Sequence, residues 1–371
     1  MTTVFVLNAG SSSLKYQLVD PDDGTVHASG TVERIGESDG ASDHEDAVRQ
    51  ALSEIDGLPE PDAVGHRVVQ GGSRFDAATV VTPEVEHAID ELSALAPLHN
   101  PANLQGIRAA QAVLDVPQVA VFDTAFHRTI PDAAATYAIP LDLARRHDVR
   151  RYGAHGTSHR YVSRAAIDFL GIPAEGSRIV VLHLGNGASA CAVRDGRSVD
   201  TSMGLTPLEG LVMGTRSGDL DPAVLFHLHR SAGLGFDELE RMLNRDSGLK
   251  GMTGTGDMRD VTRSADGGDA DAALALEVVR HRLRHYIGAY LAVLGGLDAV
   301  VFTAGIGEND AALRASALEP LGGLGLRVDP QRNAARSKEA RRISPDSAPV
   351  AVLVVPTNEE LEIARQTAAV L

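Results

Sequence analysis

Three short glycine-rich turns each follow an apolar run in this chain: NAGSSS at 8–13, GNGAS at 185–189 and AGIGEN at 304–309. Small residues let successive backbone N–H groups close around a phosphate, and serine hydroxyls add donors. A single glycine turn carries little information. Three, each leaving an apolar strand with a polar residue at the junction, point to phosphate binding. No G-x-x-x-x-G-K-[ST] sequence occurs and no G-x-G-x-x-G follows a first strand, which disfavours a P-loop or a Rossmann site. Arg67 lies in HRVVQGG (66–72) and Arg216 in the glycine-rich GTRSGDLDP (214–222). An arginine in such a loop is either solvated, the commoner case, or aimed at an anion that its planar fork can grip. Asp123, in VFDTAF, ends a strand, where active-site residues of open α/β sheets sit; a helix N-cap is the alternative. His155 and His159 stand four apart in RYGAHGTSHRYV, without the glutamate of H-E-x-x-H and without a third ligand nearby. The run Gly156, Thr157, Ser158 reads as a turn entering a helix, which leaves His155 a site residue or a packed structural one.

These residues need rigid elements behind them. TVFVLN (3–8) reads as a buried strand, AGSSS as a turn and LKYQLVD as a second strand. Residues 36–47 are acidic and apolar-poor, a surface loop or helix entry. Helices are expected over 83–95 and 101–114, a strand over 116–126, and no strong element from 137 to 151. RIVVLHL (178–184) and ACAVRDG flank the second turn, so the strand–turn–strand order of the N-terminus recurs; this reads as an internal duplication. Leu276, Val279, Leu283, Ile287, Tyr290 and Leu294 fall at helical spacing, with Gly295 placed to stop a helix over 271–294. Strands follow at 298–304 and 349–356, then a C-terminal helix, while RSADGGDADAA (263–273) reads as a loop. Strands and helices alternate, so the class is α/β.

At 371 residues the chain exceeds one ordinary core, and two domains are the natural expectation. A net charge of −16 argues against nucleic acid and anionic membrane surfaces as partners. No apolar run approaches the ~20 residues of a membrane span. The N-terminal MTTVFVLNAGSSS has neither the basic nor the long apolar region of a signal peptide, and Cys191 is the only cysteine; a cytoplasmic location is expected.

Together these segments resemble the acetate and propionate kinase family, within the superfamily of sugar kinases, Hsp70 chaperones and actin. VLNAGSSSLKY, HRVVQGG, PLHNP, VFDTAFH, YGAHGTSHRYV, HLGNGAS, TPLEGLVMGTRSGDLDP, FTAGIGEN and PTNEE occur in the family's order, from Val4 to about Arg365. The resemblance implies two duplicated actin-like α/β domains with ATP and substrate in the cleft between them. The first would span 1–149 and the second 150–359, with the helix after Glu360 (360–371) returning to the first. It implies phosphoryl transfer from ATP to acetate, reversibly, with Mg2+ replaceable by Mn2+, in a homodimer.

By the same resemblance Asn8 and Glu359 are the Mg-binding pair. Lys15, His183, Leu184, Gly185, Asn186, Gly187, Asp257, Met258, Arg259, Gly305, Ile306, Gly307, Glu308 and Asn309 are nucleotide contacts. Arg67 and Arg216 hold the carboxylate and the transferring phosphoryl group, His155 stabilises the transition state, and Asp123 is the essential acid. Val69, Leu98 and Pro207 wall the acyl pocket. Two positions depart from the family: Gln70 replaces a usual histidine, and Ala154 replaces the phenylalanine that closes the acyl pocket. Acetate is already ionised at neutral pH, so no general base is required, and Asp123 is assigned to positioning Mg-bound water or an arginine; proton transfer is its alternative. Two other readings compete: a propionate or short-chain acyl kinase of relaxed specificity, and a non-catalytic ATP-binding switch.

Overall fold

The structure, a computed structural model, describes residues 2–97 and 99–371. Two six-stranded mixed sheets form its frame. The first contains β1 (Val4–Ala9), β2 (Ser13–Val19), β3 (Val26–Glu33), β4 (Ala63–Val68), β5 (Thr79–Val80) and β6 (Gln118–Phe122), in the order β3-β2-β1-β4-β6-β5. The second contains β7 (Arg178–Leu184), β8 (Ala188–Arg194), β9 (Arg197–Thr201), β10 (Ala299–Thr303), β11 (Arg341–Arg342) and β12 (Ala351–Val354), in the order β11-β12-β10-β7-β8-β9. Read from the opposite edge, the second order repeats the first. In each sheet three antiparallel strands lead into two parallel ones and end on an antiparallel edge. The duplication expected from two turn sequences is thus visible in the topology, and the α/β class holds.

Alternation assigns each strand face its cover. On β1, Phe5 and Leu7 face Ala47, Val48 and Ala51 of the helix His44–Glu54, together with Ala109 and Ala110 of the helix Asn100–Val113. Val4 and Val6 point the other way, where Leu361, Ile363 and Ala364 of the helix Glu359–Ala368 cover them. On β7, Val180 and Leu182 join the core of the helix Ala270–Leu294, whereas Ile179 and Val181 meet Val162, Ala166 and Ile167 of the helix Gly156–Leu170. That last helix also lies against Glu359–Ala368, and Arg160 Nε pairs with Glu362 at 2.9 Å across the junction. The six apolar positions read at helical spacing in 271–294 are all buried, Asp269 caps the helix start, and Gly295 ends it at φ 70°. Among the described residues no helix is long and apolar enough to cross a membrane.

Four expectations fail locally. Most of the supposed loop 263–273 is helical: Met258–Asp266 and Ala270–Leu294 leave only residues 267–269 between them. The small polar residues there masked buried Met258, Val261 and Ala272, which give each helix an inward face. The stretch 137–151 contains the helix Leu141–Arg146, whose only buried residue is Ala144. The third glycine turn is a short helix, Ala304–Asn309. The helix expected over 83–95 divides into Pro83–Glu91 and a 3-10 turn, Leu92–Ala94.

Candidate active site

The parallel strands of the first sheet bring Asn8, Arg67 and Asp123 together at their carboxyl ends, where open α/β sheets bind ligands. Asp123 follows β6 and is fully buried. Its Oδ2 accepts from Arg67 Nε (3.1 Å) and Nη2 (2.6 Å), and its Oδ1 accepts from Thr157 Oγ1 (3.0 Å). Both oxygens are therefore occupied and neither caps a helix. Burial alone would lower the Arg67 pKa; Asp123 and then Glu359 more than offset this and hold the guanidinium charged. Arg67 Nη1 reaches toward Asn8 Oδ1 at 3.4 Å.

The helices Gly156–Leu170 and Glu359–Ala368 begin beside this cluster. Thr157 Oγ1, the donor to Asp123, also lies 3.2 Å from Glu359 Oε2. Burial raises the Glu359 pKa, and Arg67 only partly offsets it. His155 precedes the first of these helices in a left-handed conformation, φ 57° and ψ 26°. Such a conformation is strained for a non-glycine residue and persists where surrounding structure enforces it.

The second sheet supplies the opposite wall. Gly187 has no side chain, and a Cβ there would lie 2.6 Å from Arg216 Nη2 and 3.4 Å from His155 Nε2. The glycine turn is what lets the arginine and the histidine approach the cleft together. Arg216 Nη1 donates to the Pro207 carbonyl at 2.6 Å, and burial alone shifts its pKa downward. It is half-buried and, among the described residues, has no carboxylate partner. An unneutralised cation in that setting is a ready anion site. Both arginines depress the His155 pKa, after burial, His183 and His159, so the imidazole is neutral at physiological pH. It can serve the site as a hydrogen-bond donor rather than as a cation.

Two cavities are lined by residues of these walls. One of 180 Å³ is lined by Asn8, Lys15, Arg67, His155, His183 and Glu359. The other, of 900 Å³, is lined by Gly185, Asn186, Asp257, Met258, Arg259, Gly305, Ile306 and Asn309. Its size suits a nucleotide. Of the other residues expected at the nucleotide, Lys15 and His183 line the smaller cavity, and Leu184, Gly187, Gly307 and Glu308 line neither. Leu184 is buried in the core of the second sheet, the Gly307 carbonyl accepts from buried Arg314 at 2.8 Å, and Glu308 Oε1 accepts from the Thr357 N–H at 3.2 Å. Conversely, Thr262, Asp310 and Arg336 line the large cavity and were not foreseen. Thr262 lies one helical turn past Met258, a spacing that could have found it; nothing in the sequence around Arg336 could.

Val69 is buried, with its N–H bound to Asn103, while Pro207 is half-buried against Arg216. Leu98, expected in the acyl wall, lies outside the described residues. Gln70 is buried, and its Oε1 accepts from the Gly72 N–H at 2.9 Å, so the departure at 70 holds the glycine turn. Ala154 is buried, and its carbonyl pairs with His127 Nε2 at 3.0 Å.

Five buried histidines have one consequence for stability. Burial pushes His66, His127 and His183 down to about 4, and His155 and His159 well below 6.5. The unfolded chain protonates them near 6.5 and the folded chain does not. Stability is therefore complete above that pH and falls as pH drops from about 6.5 toward 4, by up to ~1.4 kcal/mol per pH unit for each histidine. Raised carboxyls at Glu359 and Glu362 oppose this weakly. The Tm is expected to be level from pH 8 to 7 and to decline below 6.5; a Tm unchanged down to pH 5 would contradict the burial of these rings.

Comparison with known proteins agrees with this geometry. The model of the acetokinase family matches residues 3–365. An acetate kinase of Leifsonia xyli subsp. xyli is 62% identical, covering 99% of this chain and 98% of its own. The acetate kinase of Porphyromonas gingivalis superposes with a TM-score of 0.94 at 41% identity, covering 100% of both chains. A propionate kinase from Francisella tularensis gives 0.92 at 42% identity, covering 99% of both. With the family model matched over nearly its whole length, and relatives this similar end to end, the chain belongs to the acetokinase family.

Proposed function

We propose that this chain transfers the γ-phosphoryl group of ATP to acetate, reversibly and in line, giving acetyl phosphate and ADP. One observation carries the reading: a carboxylate-anchored arginine, a second arginine with no carboxylate partner among the described residues and a neutral histidine converge on one cleft. A carboxylate oxygen attacks the γ-phosphorus while the bond to the β,γ-bridging oxygen breaks, and the electron pair leaves with ADP. The nucleophile is already ionised, so the obstacle is repulsion between anions. Arg67 and Arg216 offset it, and His155 donates to the transferring group. Asp123, with both oxygens engaged by Arg67 and Thr157, positions the arginine.

Asn8 and Glu359 suit Mg2+, with Mn2+ as a substitute. Both present hard oxygens, and Glu359 is a half-buried carboxylate whose pKa desolvation raises and Arg67 only partly lowers. The ion would neutralise phosphate charge as the group transfers. Glu359→Ala is expected to raise the Mg concentration needed for half-maximal rate more than the KM for acetate; an unchanged Mg dependence would refute the assignment.

The two sheets support division into 1–149 and 150–359, with the terminal helix returning to the first sheet. Closure of the units would exclude water as a competing acceptor. The helix Ala223–Ala232 buries none of its residues in the single chain, and Phe226 on it and Phe236 beside it are exposed, which supports a homodimer. A solution mass of one chain would overturn that part. The cytoplasmic location rests on the sequence features given above.

Hydroxylamine trapping tests the activity. Hydroxamate should form from ATP only with a short carboxylate present. Phosphate release independent of carboxylate, with no hydroxamate, would favour the ATP-binding switch instead.

Ala154 favours a second, narrower reading on acyl length. A methyl group where the family carries a ring would leave space for one more methylene, worth ~0.8 kcal/mol or about fourfold. Comparable kcat/KM for acetate and propionate is expected, with some activity on butyrate. Ala154→Phe should restore preference for acetate, chiefly through loss of the larger acids. A wild-type propionate-to-acetate ratio far below one, unchanged in Ala154→Phe, would mean neighbouring side chains fill the space.

A further inference from the structure

We infer that Ser189 and His159 fix the tautomer of His155, so that a neutral imidazole presents its Nε2–H to the cleft. Ser189 Oγ lies 2.9 Å from His155 Nδ1 and 2.7 Å from His159 Nε2. A hydroxyl has one proton, so Ser189 donates to one ring and accepts from the other. His159 decides which. Its ring is fully buried, and among the described residues its Nδ1 has no hydrogen-bond partner. If Ser189 donated to His159 Nε2, the His159 proton would sit on Nδ1 as a buried orphan N–H. Unpaired buried donors are rarer than under-satisfied acceptors, and burying one is unfavourable. The reverse order strands only an acceptor lone pair. The chain is therefore His159 Nε2–H to Ser189 Oγ, and Ser189 O–H to His155 Nδ1.

The consequence falls on the other edge of His155. With Nδ1 accepting, the single imidazole proton is on Nε2, the atom beside Gly187 and Arg216. The opposite tautomer would turn a lone pair toward an anionic phosphoryl group. Ser189 and His159 are positioning residues here; His155 is the one that faces the substrate. The inference rests on the reading of His155 as a donor to the transferring group, but the tautomer itself is measurable without turnover.

The experiment uses the full-length, ligand-free protein with ¹⁵N-labelled histidine. Two-bond ¹H–¹⁵N correlation spectra separate the two neutral tautomers, and His155→Asn identifies the His155 signals. Wild type should show His155 protonated on Nε2. Ser189→Ala should move those signals toward a mixture, and His159→Phe should do likewise. His159→Gln places an amide donor near the Nε2 position and should keep the wild-type pattern. In turnover, Ser189→Ala should lower kcat about tenfold, the scale of one hydrogen bond, with both KM values within about twofold. An Nδ1–H tautomer in wild type, or an undisturbed Nε2–H in Ser189→Ala, overturns the inference. Should Ser189→Ala not fold, the His159→Phe and His159→Gln pair decides on the same spectra. Absence of kinase activity in wild type would refute the functional reading and leave the tautomer result standing.

Discussion

Arg216→Ala and Arg67→Ala should each lower kcat by on the order of 10²-fold or more, the scale of losing a preorganised donor in a water-excluded site. Their stabilities should diverge. Arg216 has no carboxylate partner among the described residues, and its Nη1 only touches the Pro207 carbonyl, so its loss should leave the Tm near wild type. Arg67 neutralises fully buried Asp123, and removing it strands that carboxylate. Breaking a buried pair from one side is destabilising by about 3–5 kcal/mol. Arg67→Lys should recover only part of the rate: Nε and Nη2 both grip Asp123 while Nη1 extends toward Asn8, and an ammonium cannot span those directions. Steady-state kinetics with thermal melts checks all three variants. Wild-type kcat in either alanine variant would remove that arginine from the chemistry.

Gly156→Ala should be nearly as damaging, although no catalytic group is removed. The Gly156 N–H donates to the Asp123 carbonyl at 2.9 Å. An added Cβ would overlap that same oxygen and would lie 3.0 Å from its carbon and 3.1 Å from Phe126 Cβ. Backbone stands on one side of the clash and the start of a helix on the other, so no flexible side chain can yield. The helix start must shift, carrying His155 and Thr157 away from Arg67 and Glu359. Displacements near 1 Å can reduce rates about 10²-fold, and overpacking of this kind lowers stability by roughly 1–3 kcal/mol. Urea unfolding and kcat measured together test it. A variant with wild-type midpoint and rate would show that the strand end and the helix start are not so tightly coupled.

Much of this was legible in the sequence because the signals are local. The glycine turns announced the strand ends, the spacing from Leu276 to Leu294 announced the long helix, and the repeated strand–turn–strand order announced the paired sheets. The pairings that give the site its chemistry are not local. Arg67 and Asp123 lie 56 residues apart and meet through the register of β4 with β6. Ser189 reaches His159 across 30 residues and two elements. Position alone left Asp123 as either an N-cap or a site residue, and only tertiary contact chose. The misread loop at 263–273 failed for a compositional reason: alanine, aspartate and glycine conceal a helical face that needs only Val261 and Ala272 to be anchored.

The order in which the chain leaves the ribosome sets a constraint on its folding. One face of the first sheet, made by Val4, Val6, Val119 and Val121, is covered by Leu361, Ile363 and Ala364. The contact is close enough that a Cβ on Gly65 would lie 2.5 Å from Thr367 Oγ1, and Arg365 Nε seals the edge on the Pro21 carbonyl at 3.1 Å. These strands are therefore synthesised well before the helix that takes their valine surface out of water. Contacts this distant in sequence slow the closing step, and an uncovered apolar face invites association with other chains in the interval. The nascent chain must hold this face uncovered, or shielded by another molecule, until the helix Glu359–Ala368 arrives.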